Sequence, residues 1–184
     1  MYRERMETLK EWKVSKNRKP LIIRGARQVG KTWLMKEFGK LYYEKCAYIN
    51  FDNNSRMDIL FNEEFDLDRI IQGLKIESGI NIEPENTLII FDEIQETPKA
   101  LKTLKYFYEN ANEYHIVAAG SLLGVAMHQG TSFPVGKVNF MDLMPLSFFE
   151  FLDALGQEHL LNLLKNNEFD MISVFNNKYK DYLK

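Results

Sequence analysis

The stretch Gly25-Ala26-Arg27-Gln28-Val29-Gly30-Lys31-Thr32 has the residue types and spacing of a phosphate-binding loop, G-x-x-x-x-G-K-[ST], the Walker A pattern. Glycines let backbone N–H groups approach phosphate oxygens with no Cβ in the way. A helix opening at the end of the loop adds partial positive charge. Lys31 can then reach the β- and γ-phosphates, and the Thr32 hydroxyl can ligate Mg²⁺. All eight residues are therefore expected to hold a nucleotide. A phosphate loop does not by itself imply hydrolysis, but a pair of carboxylates further along the chain does. Leu88-Ile89-Ile90-Phe91 runs into Asp92-Glu93, an apolar strand ending in acid, the Walker B pattern. Asp92 is expected to hold Mg²⁺, directly or through its waters. Glu93 is placed to orient and deprotonate an attacking water.

Three further positions carry weaker signals. Gly120-Ser121 ends the next apolar run, where the Ser121 hydroxyl would either hydrogen-bond the γ-phosphate or attacking water, or cap a helix. Asp52 closes an earlier apolar run and reads mainly as a cap or turn residue. Gln95, just after the acidic pair, is a candidate for relaying nucleotide state. Arginine is informative by its distribution, since none follows Arg69. A late arginine often stabilises charge on the γ-phosphate, and the later region offers only lysines such as Lys137. Such an arginine is then expected from another copy or a partner protein, or from beyond Lys184, or turnover is slow. Arg27, inside the loop, is a further contributor or a structural contact. His115, His128 and His159 show no metal-ligand spacing with one another or with Cys46.

The elements that must position these groups are legible as short apolar runs alternating with helical periodicity. Leu21–Arg24, Ala47–Phe51, Thr87–Phe91 and His115–Gly120 read as strands, the later two as strands covered on both faces. Met6, Leu9 and Trp12 mark a lead-in helix. Leu34, Phe38, Leu41 and Tyr42 form the apolar stripe of the helix after the loop. One helix is expected over Met57–Ile71, followed by a connection punctuated by Gly73 and Gly79. Thr97-Pro98 opens a helix whose apolar face is Leu101, Leu104, Phe107 and Tyr108. Ser147 and Glu150 form a capping box ahead of a long Leu/Phe-rich helix. Strand–helix alternation predicts a parallel α/β sheet. The expected division is a nucleotide-binding domain over 1–145 and a helical extension, or the start of a second domain, over 146–184.

The bulk composition narrows the partners. The chain has 184 residues, 45% hydrophobic and 27% charged, with a net charge of −2, so no global basic field favours nucleic acid. Lys10–Lys19 holds five basic residues and one acid and reads as a solvated face. A single cysteine forms no disulfide framework and fits a reducing compartment, with Cys46 read as a buried, inert thiol. The charged N-terminus lacks a signal-peptide core, and no apolar run approaches the ~20 residues a membrane span needs. A cytoplasmic location follows as the expectation.

Leu21–Thr32, Asp92-Glu93-Ile94-Gln95, Ala119-Gly120-Ser121 and Met144-Pro145-Leu146-Ser147-Phe148-Phe149-Glu150-Phe151 together resemble a prokaryotic AAA-domain ATPase family. Its members join this domain to a C-terminal nuclease-like domain of unknown function. The resemblance implies a three-layer RecA/AAA-like P-loop fold bearing a catalytic glutamate, with ATP as nucleotide and Mg²⁺ as metal. It implies functional roles for Lys31, Thr32, Asp92, Glu93 and Ser121. Two departures stand out. Gly136-Lys137 replaces the family's usual Gly-Arg, and family members run to more than twice this length, so a truncated chain is expected.

Overall fold

Leu21–Arg24 (β1), Lys45–Asn50 (β2), Thr87–Asp92 (β3), His115–Ala119 (β4) and Asn139–Asp142 (β5) form one parallel sheet in the order β2-β3-β4-β1-β5. The computed structural model describes residues 3–62, 66–120 and 136–183. By their contacts the residues divide into two compact units, Arg5–Pro145 and Met1–Glu4 with Leu146–Lys184.

In the larger unit both faces of the sheet are covered. Alternate strand residues point to opposite faces, and two core clusters divide them accordingly. Leu21, Ile23, Leu88, Ile90, Val117 and Ala119 pack with Met6, Leu9 and Trp12 of α1 (Arg5–Val14) and Leu34, Met35 and Phe38 of α2 (Lys31–Tyr42). Ile22, Ala47, Ile49, Ile89, Phe91, Ile116 and Ala118 pack with α3 (Ser55–Asn62), α4 (Leu67–Ser78) and α5 (Pro98–Asn110). The result is the expected three-layer α/β arrangement. β3 and β4 are buried at every position, which explains their unbroken apolar sequences.

Several local expectations are corrected. The single helix over Met57–Ile71 is two helices, because Asp66 caps a second one, accepting from the N–H groups of Asp68 and Arg69. Gly73 lies inside α4 and packs beside the Leu60 side chain, whose tip a Cβ there would meet at 2.6 Å, so it is a packing position and not a turn. Gly79 closes α4 in the left-handed conformation. Leu41 sits on the exposed side of α2, off the buried stripe. Cys46 is only half-buried, against Gly39, and burial raises its thiol pKa. β5 was not expected at all.

The smaller unit contains four short helices, α6 (Phe148–Ala154), α7 (Glu158–Lys165), α8 (Phe169–Val174) and α9 (Asn176–Asp181), in place of one long one. The capping box of Ser147 and Glu150 is present. Glu150 is also buried against Arg3, whose Nε donates to it at 3.1 Å, and it accepts the Glu4 N–H at 2.9 Å. Leu152, Leu160, Leu161 and Tyr179 form the core of this unit.

Candidate functional site

The carboxyl end of β1 delivers the phosphate loop, and the carboxyl end of β3 delivers the acidic pair. β4 lies between them, its Ala119 in register with both Ile23 and Asp92. This spacing leaves room between loop and carboxylates at the edge where ligands of open α/β sheets bind. The loop is anchored from below by Val29, whose buried side chain joins the α2-face core. Gly25 is required by close approach: a Cβ there would stand 2.3 Å from the Leu143 carbonyl oxygen. Gln28 and Gly30 take left-handed φ values of 63° and 92°. Such turns direct successive N–H groups toward one point, the geometry of an anion nest. Gly30 occupies the cap position of α2 with no capping side chain, so the first N–H groups of that helix remain available to a ligand.

Lys31 is buried, and its Nζ donates to the carbonyls of Gly25 at 2.9 Å and Ala26 at 2.6 Å. Burial pulls the Lys31 pKa down from the ordinary lysine value, opposed by the negative charges of Glu93 and Asp92. Thr32 Oγ1 donates to Asp92 Oδ2 at 2.7 Å, joining the two motifs directly. A hydroxyl and a carboxylate this close are hard oxygen donors of the kind Mg²⁺ accepts, so the pair fits that ion. Asp92 is itself buried. It receives a second hydrogen bond on Oδ2 from the Tyr48 hydroxyl at 2.9 Å, and its Oδ1 accepts the Glu93 N–H at 3.2 Å. Burial and the neighbouring Asp92 charge push the Tyr48 phenol pKa up, so it stays a neutral donor.

Glu93 adopts a left-handed conformation (φ 53°, ψ 41°), unusual for a non-glycine residue and frequent at strained functional positions. Its Oε2 accepts from Gln95 Nε2 at 2.6 Å. Gln95 Oε1 is buried with no hydrogen-bond partner among the described residues. Arg27, Gln28, Lys31, Thr32, Glu93 and Gln95 share one open cavity of about 580 Å³, a size common for small-molecule sites.

The structure thus brings Gly25, Ala26, Arg27, Gln28, Val29, Gly30, Lys31 and Thr32 together with Asp92 and Glu93. Ser121 lies outside the described residues. Asp52 lines the cavity from a turn rather than capping α3, whose Met57 N–H is met by Asn54. Lys137 is not at the cavity: its Nζ pairs with Glu109 at 2.8 Å and lies over the Tyr108 ring. Among the described residues, no three His, Cys, Asp or Glu side chains converge to hold a metal. Two site residues escape sequence reasoning. Trp33 lines the cavity beside Thr32, and Tyr48 reaches Asp92 from β2. The only signal for Tyr48 is its alternation with Ala47 and Ile49 on an otherwise apolar strand.

A parallel sheet of this order, with a glycine-rich loop leading from β1 into α2, defines a P-loop NTPase fold. The profile of the AAA domain family matches residues 17–152. The chain belongs to that AAA domain family. Among solved structures it is similar to the Walker-type ATPase of Pyrococcus abyssi, with a TM-score of 0.54 at 17% identity over 92% of this chain and 62% of that one. It is also similar to Drosophila ORC bound to DNA, with a TM-score of 0.51 at 17% identity over 94% of this chain and 55% of that one. The chain therefore spans less than two thirds of either protein's length, and at these identities the likeness concerns the fold. No curated protein matches the sequence. No described helix is long and apolar enough to cross a membrane.

Proposed function

We propose that the chain is an Mg²⁺-dependent ATPase module. The observation that carries this reading is the 2.7 Å hydrogen bond from Thr32 to Asp92, with Glu93 next along the chain and on the same cavity. Loop N–H groups and the start of α2 bind the phosphates, and Lys31 exchanges its contacts with the Gly25 and Ala26 carbonyls for the β- and γ-phosphates. Mg²⁺, held by Thr32 and Asp92, would neutralise charge on the phosphate oxygens. Glu93 accepts the proton of a water whose oxygen attacks the γ-phosphorus, and ADP leaves. For this, the Glu93 carboxylate must leave Gln95. Ser121 would bind the γ-phosphate or cap the following helix. Residues 1–145 form the ATPase domain in this reading, and 146–184 an extension or the start of another domain. The lone Cys46 agrees with a cytoplasmic location.

A second reading is a nucleotide-dependent switch with little turnover of its own. It is favoured by the Gln95 hold on Glu93 and by Arg27 being the one arginine among the described cavity-lining residues. A neighbouring copy or partner would then supply a second arginine. DNA association is suggested by the DNA-bound Drosophila structure alone, and the net charge of −2 lends it no support. Steady-state phosphate release, measured with Mg²⁺ and with EDTA, separates the readings. The ATPase reading requires turnover that needs Mg²⁺ and disappears in Lys31→Ala and Asp92→Asn. Tight ATP binding with turnover at background selects the switch. A chain that binds no nucleotide contradicts both.

A further inference from the structure

Tyr48 occupies the edge strand β2, in register with Ile90 of β3, while Asn50 faces Asp92. Its side chain shares the α2 face with Asp92 and reaches the carboxylate along the diagonal, a span that long aromatic side chains cross. The hydroxyl donates to Asp92 Oδ2 at 2.9 Å, the same oxygen that Thr32 engages at 2.7 Å. Behind the ring lies Lys36, its Nζ 3.6 Å from the ring centroid. Thr32 and Lys36 stand one helical turn apart on α2 and so share a face. One face of α2 therefore grips the carboxylate directly through Thr32 and the phenol that orients it through Lys36. The Thr32 hydroxyl can turn a lone pair toward a cation while its O–H stays on Asp92, and the Tyr48 donor is the second hold on the same carboxylate oxygen.

We infer that Tyr48 is a positioning residue that holds the Asp92 carboxylate for Mg²⁺, and that Lys36 holds Tyr48. This rests on the ATPase reading, in which Thr32 and Asp92 carry the metal. Groups that orient metal-binding carboxylates typically change metal affinity by about 10–100-fold when removed. Tyr48→Phe keeps the ring and its packing and deletes only the donor.

The test is binding of a fluorescent ATP analogue, first in EDTA and then titrated with Mg²⁺, so that the readout is affinity. The expected result for Tyr48→Phe is an apparent Mg²⁺ affinity weaker by about tenfold, with metal-free nucleotide affinity unchanged. An unchanged Mg²⁺ titration overturns the inference. So does an equal loss in EDTA, which would make Tyr48 merely structural. Should Tyr48→Phe not fold, Lys36→Met asks the same question from the surface. Removing a cation from this half-buried ring should weaken Mg²⁺ by roughly two- to fivefold, and no change overturns the inference. A wild-type chain that binds no nucleotide overturns the parent reading and this inference with it. A wild type tightened by Mg²⁺ beside an unaffected Tyr48→Phe overturns this inference alone.

Discussion

Replacing Gly25 by alanine tests whether the phosphate loop is held in place by the Leu143 backbone that follows β5. The added Cβ would sit 2.3 Å from the Leu143 carbonyl oxygen and 3.2 Å from Val29 Cγ2. Contacts under 3.0 Å are essentially never seen, so loop or strand must move by at least about 0.7 Å. The obstacle is backbone, and no rotamer change relieves it. The adjoining Leu143 N–H donates to the Arg24 carbonyl at 2.8 Å, so the displacement strains or breaks the bond that continues β5 past the loop. Overpacking of this kind costs about 1–3 kcal/mol, and the lost hydrogen bond adds about 1 kcal/mol. A loss of about 3 kcal/mol lowers the Tm of a domain this size by roughly 6–12 °C. The assay is thermal unfolding followed by circular dichroism, with Gly79→Ala as a control. Gly79 is also left-handed but meets nothing within 4 Å, so its cost should be only about 1 kcal/mol of backbone strain. A Gly25→Ala chain that melts within 2 °C of wild type, or no lower than Gly79→Ala, would show that the Leu143 backbone does not confine the loop.

Three other predictions follow from single contacts. Gln95→Ala removes one of the contacts of Glu93, a hydrogen bond worth about 1 kcal/mol, so basal ATP turnover should rise by up to about fivefold; a fall in turnover would mean that Gln95 assists Glu93 instead. His115 is buried and accepts or donates at Nδ1 to the Tyr43 hydroxyl, and burial, with Arg18 and Lys13, lowers its pKa to about 3. The folded state then binds fewer protons than the unfolded one between about pH 6.5 and 3, so stability is full above 6.5 and falls as pH drops through that window. Urea unfolding at pH 7 and pH 5 should show a loss about 1–2 kcal/mol smaller in His115→Gln than in wild type. Glu150→Ala removes one partner of buried Arg3 and half of the capping box. It should destabilise the smaller unit by about 2–3 kcal/mol, one charge-assisted hydrogen bond and part of a cap, seen as faster amide exchange in α6 with nucleotide affinity unchanged.

What the sequence made legible was whatever is encoded locally. The phosphate loop, the Asp92-Glu93 pair and strands β1 to β4 each announce themselves within about eight residues, through glycine spacing or an unbroken apolar run. β5 escaped because Asn139-Phe140-Met141-Asp142 is an edge strand whose only buried residue is Met141, so no apolar run marks it. The break between α3 and α4 escaped because apolar periodicity continues across it while Asp66 starts a new helix. Pairings distant in sequence were illegible for the same physical reason. Tyr48 meets Asp92 only through the β2–β3 register, and Arg3 meets Glu150 across 147 positions. Gln95 was legible as a candidate, but its direct hold on Glu93 depends on the left-handed turn at Glu93. The fate of Lys137, drawn to Glu109, is a tertiary outcome of the same kind.

Glu93 as the proton acceptor is tested most directly by single-turnover hydrolysis of γ-labelled ATP by excess protein with Mg²⁺, comparing wild type with Glu93→Gln. The substitution removes the proton acceptor and leaves the loop, Thr32 and Asp92 in place. Both proteins should bind ATP with similar affinity, while Glu93→Gln releases phosphate at least about a hundredfold more slowly. Equal rates of phosphate release by the two proteins, with ATP bound to each, would contradict it.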